Sequence, residues 1–190
     1  MVPVMNTRRR SENSKKEEWS VKGGDVFKPT IETMAQRVLY GNWMTLGVET
    51  LEQDYELVWA VLAARIRRIT DSIRDRVGLG TEARLGRPFP YWTAVELNPG
   101  APRPAGMVRV VIPSGTYLAL NRGDSLAETY DFVYNHWENS QSEYVINRSG
   151  FCIEQYGPVG RNPEEVTLFM PLASRAAWSE ADSEPQVVNC

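Results

Sequence analysis

The chain has 190 residues, a formal net charge of -3 and 42% hydrophobic residues. That length suits one sizeable core or two small ones, and the charge gives no support for general nucleic-acid binding. No apolar run could span a bilayer and no apolar leader opens the chain, so a cytoplasmic protein without membrane contact is expected.

Only two cysteines occur, Cys152 and Cys190, too few for a disulfide framework or a zinc cluster. No cofactor and no metal site is therefore expected. Residues 1–28 are polar, charged and aperiodic around Arg8, Arg9, Arg10, Lys15 and Lys16. They read as a disordered tail, because too little apolar surface is present to offset the entropy of ordering. They are also too poor in periodic apolar residues for a helix-turn-helix domain, which argues against direct nucleic-acid contact.

From Pro29 the pattern becomes regular. Residues 31–38 suggest a strand, Tyr40-Gly41-Asn42 a turn, and residues 43–48 a second strand. Thr50 and Gln53 have capping-box spacing. Tyr55, Val58, Trp59, Leu62, Ile66, Ile69 and Ile73 follow at offsets 0, 3, 4, 7, 11, 14 and 18, which predicts a helix of about five turns stopped by Gly78. Tyr91, Thr93, Val95 and Leu97 alternate with Trp92, Ala94 and Glu96, which is strand spacing. Residues 98–106, rich in Pro and Gly, read as a linker.

Val108, Val110 and Ile112 then alternate up to a turn at Pro113-Ser114-Gly115, and a second strand follows from Thr116 to Leu120. Ser125 and Glu128 again have capping-box spacing. Leu126, Tyr130, Val133, Tyr134 and Trp137 lie at offsets 0, 4, 7, 8 and 11 on one helical stripe. Further strands are expected at residues 151–157 and 166–172, and a C-terminal tail over residues 174–190.

The second half repeats the first. Tyr55-Glu-Leu-Val-Trp59 matches Tyr130-Asp-Phe-Val-Tyr134 in register, 75 residues on, and the strand at residues 91–97 corresponds to that at 166–172 with the same offset. A period of this length suggests two units, residues 29–98 and 106–173. The expected fold is α+β: two pseudo-symmetric β-β-α-β units with an antiparallel sheet and two long helices, and a ligand cleft at the seam.

Catalytic sets are sparse. His136 is the lone histidine and no Gly-rich phosphate loop is present. Strand spacing puts Cys152, Glu154 and Tyr156 on one face among apolar neighbours, and Trp92 with Glu96 on one face of another strand. A buried carboxylate must find a partner, protonate or meet a ligand. A cation would answer that need, and aromatic faces would add to its binding. The alternative is that Glu154 and Glu96 face solvent or pair with arginines.

Tyr91-Trp-Thr-Ala-Val-Glu-Leu97, Ile112-Pro-Ser-Gly-Thr-Tyr117, Thr129-Tyr130 through Trp137, Phe151-Cys-Ile-Glu-Gln-Tyr156 and Val166 to Pro171 together resemble the GyrI-like, or AraC-type, effector-binding domain. The resemblance covers roughly residues 30–173. It implies a stand-alone, multidrug-sensing type of module with an aromatic pocket whose key glutamate receives amphipathic cations. The F-x-x-E-x-Y match carries that glutamate onto Glu154. Trp92, Tyr117, Tyr156 and Phe169 are candidate lining residues, followed by Glu96 and Trp137. The implied partner is a small molecule, with a separate regulatory protein or a homodimer as further partners. Two rival roles follow from relatives. One is hydrolysis of strained electrophilic toxins, with Glu154 as general base and Tyr117 or Tyr156 as proton donor. The other is inhibition of a topoisomerase-like protein, for which residues 179–184 offer an acidic patch.

Overall fold

The computed structural model describes residues 19–20, 26–47, 49–81, 88–122, 125–159 and 166–178. Strands β1 (Trp19–Ser20) and β2 (Val26–Phe27) pair with each other. Both lie in the stretch expected to be a tail. Phe27 is buried and its ring stacks on Phe132 with centroids 4.5 Å apart, which gives this segment the apolar anchor that composition alone did not suggest. The remaining elements are β3 (Thr30–Met34), β4 (Arg37–Leu46), α1 (Leu51–Ile66), β5 (Ile73–Gly80), β6 (Phe89–Leu97), β7 (Val108–Ile112), β8 (Gly115–Asn121), α2 (Leu126–Phe132), α3 (Glu138–Ser140), β9 (Tyr144–Ile146), β10 (Cys152–Gly157) and β11 (Thr167–Ser174). The α+β class with an antiparallel sheet is as expected.

Nine strands form one antiparallel sheet in the order β3-β8-β11-β10-β5-β6-β4-β7, with β9 added on β11. The order is a palindrome of the repeat. Exchanging β3 with β7, β4 with β8, β5 with β10 and β6 with β11 leaves it unchanged, and the seam is the β10–β5 pair. The outer strands are swapped: β3 of the first unit pairs with β8, and β7 of the second pairs with β4. Only residues 113–114 join β7 to β8, yet these strands lie far apart in the sheet order. The sheet therefore curls until its two flanks meet. Leu39, Val77, Leu79, Ala94, Val110, Ile112, Tyr117 and Ile153 fill the inside of the curl. The other face carries the helices: Val58, Leu62 and Ile66 of α1 pack over Leu46, Ile73, Tyr91 and Val95, while Phe132 and Val133 pack with Trp137 over Leu118, Leu168 and Met170.

Three local expectations are corrected. Tyr40-Gly41-Asn42 is the middle of β4, not a turn. A Cβ on Gly41 would lie 2.4 Å from the Thr93 carbonyl oxygen and 2.7 Å from Ala94 Cβ, so the glycine serves close strand contact. At the start of α1, Thr50 makes no capping bond. Its hydroxyl donates to Asp54 Oδ2 at 2.6 Å, and Asp54 also accepts from the Gly47 amide at 2.9 Å. Finally, α1 ends at Ile66, and Gly78 is a strand residue. A 3-10 turn at Thr70–Ser72 leads into β5, where the register shifts between Ile73 and Asp75. That shift lets Ile73 pack under α1 while Val77 and Leu79 face the curl. Ile69 of the connecting segment and Ile73 join Leu62 and Ile66 in one cluster, so residues beyond the helix end continued its apolar spacing.

The second helix begins as read from sequence, with Ser125 Oγ accepting from the Glu128 amide at 3.1 Å. It then widens into a π-helical turn, Val133–Trp137, before α3. Single π turns of this kind concentrate near functional sites.

Candidate functional site

Glu154 sits on β10 at the seam, paired with Gly78 of β5, and is 4% exposed. Period-two alternation turns Cys152, Glu154 and Tyr156 toward the helices. Four tyrosine hydroxyls donate to the carboxylate. Tyr91 of β6 reaches Oε2 at 2.6 Å, Tyr156 at 2.8 Å and Tyr55 of α1 at 3.2 Å, while Tyr130 of α2 reaches Oε1 at 3.2 Å. The Tyr55 and Tyr156 hydroxyls also meet, and with one proton each they bond each other only when one of the two turns from Glu154. Among the described residues no lysine or arginine pairs with this carboxylate.

Symmetry builds the ring. Tyr55 and Tyr130 are the matched residues of the two repeats, so each helix delivers one phenol, to opposite oxygens of one carboxylate. Gly78 makes the space: a Cβ there would lie 2.0 Å from the Tyr91 hydroxyl oxygen and 2.9 Å from Glu154 Oε2. Trp59, one turn beyond Tyr55, meets the Tyr156 ring edge-on at 4.7 Å, and the Tyr55 and Tyr91 rings lie 5.3 Å apart. Tyr134, matched to Trp59 by the repeat, approaches Cys152 Sγ at 4.0 Å.

The phenols hold their protons firmly. Burial, and next the charge of Glu154, pushes Tyr55 up to about 12. The same two causes raise Tyr91, Tyr130 and Tyr156 further. They are therefore fixed donors around an acceptor, with aromatic faces beside it. Such a site offers a negative charge in an apolar lining.

Of the residues read from sequence, the structure brings Glu154 and Tyr156 together. It puts Trp92, Tyr117 and Phe169 on the opposite face, inside the curl. The reason is register: Glu154 pairs with Gly78 and Gly78 with Thr93, so Tyr91 and Thr93 share the glutamate's face and Trp92 does not. The Tyr117 hydroxyl donates to the Pro113 carbonyl at 3.0 Å, away from Glu154. Glu96 is an arginine partner, bound by Arg37 at 2.6 and 2.9 Å and by Arg74 at 3.5 Å. Trp137 packs in the core beneath the second helix. Sequence reasoning passed over Tyr55, Trp59, Tyr91 and Tyr130. The signal was present in the repeated Tyr-x-x-Val-aromatic segments, which marked the repeat but were not read as a site.

A family model described as integron-associated effector binding protein (Cass2) matches residues 49–172, about two thirds of the chain. The chain belongs to this family of GyrI-like effector-binding proteins. Comparison by sequence with curated proteins finds no match. Among solved structures, an integron cassette protein from the mobile metagenome of Vibrio cholerae is similar with a TM-score of 0.54 and 14% identity, over 76% of this chain and 95% of that one. SAV2435, solved bound to tetraphenylphosphonium, gives 0.55 and 16% over 76% and 93%. The EcmrR C-terminal domain gives 0.56 and 11% over 77% and 98%. At these identities the likeness is one of fold. As a member of the effector-binding family, the protein is a ligand-binding module. None of its described helices is long and apolar enough to cross a membrane.

Proposed function

We propose that this protein binds lipophilic cations at Glu154, between α1, α2 and the strands at the seam. The buried carboxylate ringed by four phenols, with no basic partner among the described residues, is the observation that carries the reading. A carboxylate offers about four lone-pair positions. Oε2 accepts from three tyrosines and Oε1 from one, so the Oε1 side keeps acceptor capacity for an incoming cation. The rings of Tyr55, Trp59, Tyr130 and Tyr156 would supply cation–π and apolar contact, worth about 0.5–2 kcal/mol per well-placed face. The lipophilic cation bound to SAV2435, a protein of the same fold, supports this ligand class.

The test is a tryptophan-fluorescence titration with tetraphenylphosphonium and with neutral triphenylphosphine oxide. Trp59 serves as the internal reporter because it touches Tyr156. Saturable binding of the cation is expected, with weak binding of the neutral compound. Glu154→Gln should weaken cation binding at least tenfold, about 1.4 kcal/mol. Equal affinity for the cation in wild type and Glu154→Gln overturns the assignment of Glu154 as counter-charge.

A further inference from the structure

Leu57, Ala60, Val61 and Ala64 lie at offsets 0, 3, 4 and 7 along α1 and are all exposed, Leu57 by 51% and Val61 by 38%. Apolar residues at this spacing form one stripe. The fold does not call for it, because the sheet is covered by the opposite stripe, Val58, Leu62 and Ile66. Along one border of the outer stripe run Glu52, Glu56, Ala63 and Arg67, at offsets 0, 4, 11 and 15 and likewise exposed. Acids stand at the N-terminal end of that border and a base at the C-terminal end.

We propose that the outer face of α1 is the contact between two copies of this chain, packed antiparallel about a twofold axis. Such an axis, perpendicular to the helix, turns the second copy end for end while each border keeps facing its own counterpart. Glu56 of each copy then meets Arg67 of the other, and Leu57 meets Ala64. The border is complementary to itself in this direction, which is the reason for choosing a second copy over an unrelated partner. Ala60 and Ala64 allow the two helices to approach to the short end of the usual 8–10 Å separation. From Leu57 to Ala64 is about 10 Å of helix. A patch of that length on one helix buries far less than the roughly 2,000 Å² or more of permanent dimers, so the association is reversible and concentration-dependent. Tyr55 and Trp59 leave α1 on its other side, so the contact lies behind the Glu154 site and does not cover it.

Analytical ultracentrifugation of the full chain over a concentration series tests this. The wild type should shift from monomer to dimer as concentration rises. Glu56→Arg alone and Arg67→Glu alone should each be monomeric where the wild type is half dimeric. An equal mixture of the two variants should recover the dimer, since opposite charges then face each other at both contacts. Val61→Glu should abolish association altogether. All these side chains are exposed, and circular dichroism checks that each variant is folded. A wild type that stays monomeric throughout overturns the proposal. So does a dimer that Val61→Glu leaves intact, which would place the contact elsewhere. Failure of the mixture to recover the dimer overturns the antiparallel arrangement. Cation binding at Glu154 is measured separately and can fail or succeed independently.

Discussion

The carboxylate of Glu154 depends on hydroxyls that come from four different elements, so its surroundings respond to single atoms. Tyr55 and Tyr130 hold equivalent places at 3.2 Å from opposite oxygens. Tyr55→Phe and Tyr130→Phe should therefore destabilise the fold by similar amounts, about 1 kcal/mol each, readable by urea denaturation. The raised phenols also predict a dependence on pH. An unfolded tyrosine releases its proton near 10, whereas folded Tyr55 keeps it to about 12. The unfolded state thus binds fewer protons in that window, and stability is complete below 10 and falls above it. Each such tyrosine contributes a slope of about 1.4 kcal/mol per pH unit. The slope above pH 10 should be shallower in Tyr55→Phe. Gly78 admits a sharper experiment. Gly78→Ala drives a methyl against the Tyr91 hydroxyl and should cost about 1–3 kcal/mol. Adding Tyr91→Phe should return part of that loss, because the closest colliding atom is then gone.

At the scale of elements, glycine placement and helix boundaries carry the predictions. Gly41 lies against backbone and a Cβ on β6, atoms that cannot swing aside. Gly41→Ala should therefore destabilise by about 1–3 kcal/mol, with no relief from trimming any one neighbouring side chain. The two helix starts were nearly alike in sequence yet differ in structure. Ser125 caps through the Glu128 amide, whereas Thr50 yields its place to Asp54. Hydrogen bonds from Thr50 and Gly47 hold Asp54 below its ordinary 3.8. Its contribution is present at neutral pH and is lost as pH falls through that lowered value. Asp54→Asn should thus lower the thermal midpoint at pH 7 and make no difference in strong acid.

In the whole molecule, the exchange of β3 and β7 between the repeats makes each unit depend on the other for an edge partner. Expressed separately, residues 29–105 and 106–178 should each be unfolded by proton NMR, and should fold on mixing. The same interlocking places the β10–β5 pair at the centre. The site is therefore made by both units and belongs to neither. The inner face of α1 is committed to β4, β6 and Ile73, which leaves its outer face exposed.

Alternation along residues 91–97, 108–112 and 151–157 was legible without coordinates, because a half-buried strand must place every second residue in the same environment. The repeat was legible for a related reason, since two units with the same packing need the same apolar spacing. Local chemistry likewise singled out Glu154 and Tyr156, two residues apart on one strand face. The partners of Glu154 were not legible. Which face of β6 joins that of β10 depends on the register through β5, and a shift of one residue would exchange Tyr91 for Trp92. The end of α1 and the bulge between Ile73 and Asp75 were also hidden, because Ile69 and Ile73 pack against the same cluster as Leu62 and Ile66 and so continue the helical spacing past the helix. Sequence alone determined most of the elements, though not β5 or β9, together with their repetition and the carboxylate. Only tertiary structure decided which aromatic rings surround it, because strand register is fixed by contacts between residues far apart in the chain.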